Sequence, residues 1–205
     1  MSPSNEKGYT LIEIAIVLVV VSLLLGGVFV GGAAVLENAR TASLLGQIKD
    51  LAAASRDFKS RYGYFPGDLP NAAALITTDG GVSAGCSYAV SATVGNGIVD
   101  SATEGTCALE HLVRARLLSK VELSGGNYVI PHPFEGGNVS LSVISATRDN
   151  AVRVTNLPCR IALRIDDKLD NESTTPLVSG VVRAFDSLGG AITGCVTGGA
   201  NDPVG

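Results

Sequence analysis

Residues 6–25 read EKGYTLIEIAIVLVVVSLLL, and the way they are read decides what the rest of the chain must be. From Ile14 to Leu36 there are 23 residues without a charge. As helix they extend about 34 Å at 1.5 Å per residue, enough to cross a hydrocarbon core about 30 Å thick. A secretory signal peptide fits less well, because its apolar core is usually about 7 to 15 residues long and a small-residue cleavage site follows it. Glu13 stands in the mouth of the run, where a charge at the centre of a spanning helix costs roughly 2.5 to 3.5 kcal/mol. Either the carboxylate lies at headgroup level, or a positive partner compensates for it.

The totals agree with one anchored unit carrying a single modest domain, since a domain usually takes about 100 to 200 residues. Charged residues make up 17% of the 205, and there are 25 glycines, so the chain is rich in small residues and loops. A net charge of −4 supplies no cluster of cations for phosphate, and nucleic acid is not expected as a partner. Cys86, Cys107, Cys159 and Cys195 form no C-x-x-C pair, which argues against zinc ribbons and thioredoxin-like redox chemistry. Beyond a membrane segment, four cysteines suit an oxidising compartment and two disulfides.

Past Leu36 the sequence becomes amphipathic. Leu44, Ile48, Leu51, Ser55, Phe58 and Tyr62 recur at steps of four and three, which continues the first helix with one apolar face. One helix of about 50 residues is expected, ending at Gly63 and before Pro66. YFPGDLPNA, residues 64–72, reads as a turn into a loop. Residues 73–104 are a Gly-, Ser- and Thr-rich excursion that a Cys86–Cys107 disulfide would close. A second helix is expected over 107–118, with His111 on its solvent side and His132 in a loop. NYVIP (127–131), NVSLSVIS (138–145), AVRVTN (151–156), VSGVVRAF and AITGCVT carry strand signals, and alternation at Val139, Leu141 and Val143 marks a half-buried antiparallel strand. A short helix over RIALRIDDKLDNESTTP would be tied to the last strand by Cys159–Cys195, although four cysteines allow three connectivities. Asn96, Asp100 and Glu104 bring oxygen ligands to a Gly-rich loop, but they are too few for an EF-hand.

The leader MSPSNEKG ends in Lys7-Gly8 directly before Tyr9, and GYTLIEI, residues 8–14, resembles the class III signal of the type IV pilin and pseudopilin family. Residues 64–72 are similar to the stretch that follows the first helix in pilin-like proteins. The resemblance implies an α+β, pilin-like fold: a long N-terminal helix packed on an antiparallel sheet of about four or five strands, with short extra helices. It divides the chain into a leader (1–8), a transmembrane and filament-core half-helix (9–36), an amphipathic half-helix (37–63) and a globular head (64–205). It implies cleavage between Gly8 and Tyr9 by a prepilin peptidase, N-methylation of Tyr9, and pairing of Glu13 with the new amine of a neighbouring subunit. The family usually begins its mature chain with Phe, and Tyr9 departs from that.

The partners implied are the peptidase, other pilin subunits, the inner membrane and an assembly platform. The location implied is a single-pass inner-membrane protein with its head outside the cytoplasm, then a pilus or pseudopilus. No cofactor is required. Such proteins often have a D-x-K-x-D-x-G-like segment before a strand, and some pseudopilins bind calcium in C-terminal loops, which points to Asp166, Asp167 and Asp170 here; Asn171-Glu172 departs from the glycine, and a helix end with solvated carboxylates is the plainer reading. Three roles share this leader: filament subunit, minor pilin at a tip, and type II secretion pseudopilin. No Ser/His/Asp set, metal-ligand pair or phosphate loop suggests an enzyme.

Overall fold

The computed structural model describes residues 9–91, 93–144 and 149–170, with the side chains of 27–31 and 143–144 outside that description. The chain divides at Arg40 into two compact units. The first helix, α1, runs over Leu11–Tyr62 and contributes to both, matching the expected length and end. Gly63 closes it in the left-handed region at φ +81°, with its N–H on the Lys59 carbonyl at 2.8 Å.

In the unit up to Arg40, every described side chain from Tyr9 to Gly26 is exposed. On described residues alone, no helix is long and apolar enough to cross a membrane. The described side chains of the apolar run break off at Gly26 and resume at Gly32, while the uncharged sequence runs unbroken to Leu36.

The unit from Thr41 onward is built on the apolar stripe of α1. Leu44, Leu51 and Phe58 are fully buried, and Ile48 and Tyr62 pack against the same core. Burying side chains of this size is worth roughly 1.5 to 3 kcal/mol each, so this stripe anchors the helix to the domain. Ser55 interrupts it at small cost because its hydroxyl donates to the Leu51 carbonyl at 2.7 Å.

After α1 come a short helix α2 (Ala72–Leu75), two 3₁₀ turns (Thr78–Gly80 and Ala84–Cys86) and α3 (Ala102–Arg114). Four strands follow in a continuous antiparallel meander: β1 (Glu122–Ser124), β2 (Asn127–Pro131), β3 (Asn138–Ile144) and β4 (Asp149–Val154). The chain then enters α4 (Cys159–Leu169). The architecture is the expected α+β, pilin-like one. VSGVVRAF and AITGCVT, the two further strand expectations, lie outside the described residues.

Strands β2 to β4 fall close to their expected bounds, whereas α3 differs. It begins at Ala102 rather than at 107, because Ser101 accepts the Glu104 N–H at 3.1 Å while Glu104 Oε2 accepts the Ser101 N–H at 3.1 Å. This reciprocal cap starts a helix inside what reads as loop sequence. Gly105 then lets α3 lie close on the sheet, since a Cβ there would stand 3.0 Å from the Leu141 carbonyl oxygen. The helix stops at Arg114, before Arg116 turns left-handed at φ +59°. Strand β1, unforeseen in the sequence, follows from Gly125 and Gly126, both at positive φ, which close a two-residue turn between Ser124 and Asn127.

Candidate functional site

The N-terminal site is built from TLIE, residues 10–13, at the start of α1. The Thr10 N–H donates to Glu13 Oε2 at 2.9 Å, and the Thr10 hydroxyl donates to the same oxygen at 2.8 Å. In return, the Glu13 N–H reaches Thr10 Oγ1 at 3.4 Å and the Thr10 carbonyl at 3.1 Å. This is the reciprocal pattern of a capping box, so Glu13 satisfies helix donors that would otherwise be orphaned. Both bonds fall on Oε2, and a carboxylate offers about four acceptor positions. The carboxylate is thereby held in one rotamer with Oε1 open to a further donor.

Behind this cap the helix surface is apolar on all sides. Twelve Leu, Ile and Val side chains between Leu11 and Leu25 are exposed. A helix hydrophobic all round belongs in lipid or in a bundle of other helices. Tyr9, just before the cap, is exposed at 84%. Gly8, on the other side of the expected cut, lies outside the described residues.

In the head, the Cys86–Cys107 disulfide is formed and closes the excursion, as the sequence suggested. Cys159 is buried at the start of α4, and its expected partner Cys195 lies outside the described residues. The excursion has a second tether. Asp68, fully buried, accepts backbone N–H groups from Gly95 at 2.5 Å, Asn96 at 3.2 Å and Gly97 at 2.7 Å. Asn150 of β4 clasps the same loop, taking the Val99 N–H and donating to the Gly97 carbonyl, both at 2.8 Å. Asp68 was legible only as part of a turn; what marks it is a carboxylate facing a Gly-Asn-Gly run, whose backbone can present successive donors.

The oxygen-rich groups are engaged in local structure. Asn96 donates to Asp100 Oδ2 at 3.2 Å, and Glu104 is taken up by the α3 cap. Burial pushes the Glu104 carboxyl above its usual range. In α4, Asp166 is buried while Asp167 is exposed, so the helix turns these neighbours to different surroundings, and Asp170 caps the end. Among the described residues, no group of three His, Cys, Asp or Glu is arranged to hold a metal ion.

One histidine departs from expectation, and the other, His132, lies in the loop after β2 as expected. His111 is fully buried rather than solvent-facing, because its charged neighbour Glu110 is itself tied to Ser83, through the N–H at 2.6 Å and the hydroxyl at 2.8 Å. His132 is buried in that loop; its Nδ1 accepts the Phe134 N–H at 3.1 Å and its Nε2 faces the Thr155 carbonyl at 2.7 Å.

A capped helix, a carboxylate fixed at its first turn and an exposed apolar surface behind it call for comparison with known signals. Residues 3–29 carry the prokaryotic N-terminal methylation motif. It is the prepilin-type signal of type IV pilins and pseudopilins. No curated protein and no solved structure matches the chain. The prepilin-type signal therefore accounts for the N-terminus, and the head stands on its own geometry.

Proposed function

We propose that this protein is a structural subunit of a type IV pilus or related filament, processed at Gly8–Tyr9 and assembled through α1. One observation carries the reading: a prepilin-type signal opens a helix whose described side chains are exposed and apolar from Leu11 to Leu25, save for Thr10–Glu13 at its tip and Ser22. Ser22 adds no unpaired polar group, since its hydroxyl donates to the Leu18 carbonyl at 2.7 Å. In this reading residues 1–8 are removed, 9–36 serve first in the inner membrane and then in the filament core, 37–63 join that core to the head, and 64–205 form the outer surface. Tyr9 is the methylated residue. Glu13 meets the Tyr9 amine of a neighbouring subunit, a pairing that gains strength where water is excluded. Filament packing and membrane insertion both bury the apolar surface, and neither needs a catalytic group.

The processing step tests the reading directly. With the prepilin peptidase present, wild type should lose residues 1–8 and expose Tyr9 to N-terminal sequencing, while Gly8→Ala should stay full length. A Gly8→Ala chain that matures like wild type would sink the proposal.

A further inference from the structure

His111 joins three segments that are distant in sequence. Its Nδ1 accepts the Gly67 N–H at 3.0 Å. A backbone amide can only donate, so this nitrogen carries a lone pair. Nε2 lies 2.8 Å from the Cys86 carbonyl oxygen, which can only accept, so the ring proton sits there. The ring also stacks on Phe58 of α1, centroids 5.9 Å apart and planes 16° from parallel. One neutral tautomer thus holds α1, the turn after it and the disulfide loop against α3. A second proton on Nδ1 would set two N–H groups head to head and leave Gly67 without its acceptor.

We propose that His111 is an acid-sensitive latch: neutral, it clamps the Gly67 turn and the Cys86–Cys107 loop onto α3, and protonation releases Gly67 and loosens both. The charged groups around it come from each packed element. Glu110, on its own helix, favours the imidazolium, but burial outweighs it and holds the His111 pKa below the usual histidine value. Asp68 adjoins Gly67 and is occupied by the loop amides. Glu104 lies two turns earlier on α3, and Arg61 of α1 is held on the Ala115 carbonyl at 3.1 Å. Cys86 is in its disulfide and does not titrate.

The direction follows from linkage. With the closed-state pKa depressed, the open form takes up the proton first, so the latch is at full strength above about pH 6.5 and weakens below it. Each unit of pH favours the open form about tenfold until His111 titrates within the closed form. Glu104 acts oppositely, because its raised pKa lets the closed form gain a proton as acid is added. Comparison with a non-titrating variant separates the two.

His111→Gln supplies that variant, since a Gln amide can accept from Gly67 and donate to Cys86 without taking up a proton. The full-length protein in detergent is followed by hydrogen exchange at 63–70 and 83–100, at pH 7.5 and 5.0, corrected for intrinsic rates. Wild type should open more at pH 5.0, by up to about thirtyfold, and His111→Gln should lack that increase. An equal pH response in both overturns the latch. Should His111→Gln misfold, the wild-type imidazoles decide by carbon-13 NMR, with His132→Gln assigning the signals. His111 should hold the Nε2–H tautomer at pH 7.5 and titrate below the usual value in step with loop opening; free titration near pH 6.5 with unchanged loop protection overturns the proposal.

Discussion

Gly67→Ala probes the contact on which the head's loop region hangs, and Gly63→Ala is its internal control. Both glycines sit in the left-handed region, at φ +92° and +81°. An L side chain there costs roughly 1 to 2 kcal/mol, and each variant bears that cost. Around Gly63 a new Cβ meets nothing within 4 Å. At Gly67 it would overlap the Glu104 carbonyl oxygen, and would stand 3.0 Å from the carbonyl carbon and 3.2 Å from the Ala108 Cβ. These atoms belong to the backbone and first side-chain carbon of α3 and cannot rotate away. Relief requires the turn to lift from α3, which breaks the bond from the Gly67 N–H to His111 and adds roughly 1 to 3 kcal/mol for the buried polar groups left unpaired. Gly67→Ala should therefore lose roughly 2 to 5 kcal/mol against roughly 1 to 2 for Gly63→Ala. Pulse proteolysis of the full-length proteins across a urea series in mild detergent reads the difference. Equal stability of the two variants would refute the close approach of Gly67 to α3.

Three further variants address the disulfide and the helix cap. Replacing Cys86 and Cys107 together by Ser opens a loop of sequence separation 21, and chain entropy predicts a loss of about 3 kcal/mol in the same urea assay; a midpoint unchanged from wild type contradicts the tether. Glu13→Gln keeps an acceptor for the Thr10 N–H but removes the charge, whereas Glu13→Ala removes both. If pairing with a neighbour's amine is what matters, the two should be cleaved normally and be equally poor in sheared filament preparations; wild-type incorporation of Glu13→Gln would assign Glu13 to capping alone.

Periodicity made the frame legible. Leu44, Leu51 and Phe58 recur on one helical face, and all three are fully buried. Val139 and Leu141 alternate in sequence and are both buried in β3. What escaped were local devices whose effect depends on a distant partner. Ser101 and Glu104 spell a capping box, yet Thr103, Gly105 and Thr106 around them read as loop until the sheet against Gly105 is known. His111 looked solvent-facing because Glu110 and Arg114 flank it, and only the Ser83 contact shows that Glu110 faces inward. The nest around Asp68 needs residues 27 to 29 positions away, a separation at which side-chain patterning carries no signal.

The cap at Thr10 bears on how an acidic residue can sit at the tip of an apolar helix at all. Twelve exposed Leu, Ile and Val side chains represent roughly 18 to 36 kcal/mol of burial when lipid or neighbouring helices cover them, at roughly 1.5 to 3 kcal/mol each. Against that, roughly 2.5 to 3.5 kcal/mol for one carboxylate is tolerable, and bonds from Thr10 to Oε2 reduce what remains uncompensated. Apolar burial supplies the drive but no register, because one stretch of Leu, Ile and Val packs against a neighbour nearly as well after a small axial slip. Under the proposed pairing, the Glu13 charge, with one oxygen left for a further donor, would discriminate between those alignments, since only one would place a neighbour's amine within reach. The Thr10–Glu13 bonds thus account for a helix that starts at Leu11, and on the proposed reading the same carboxylate would choose among otherwise similar packings.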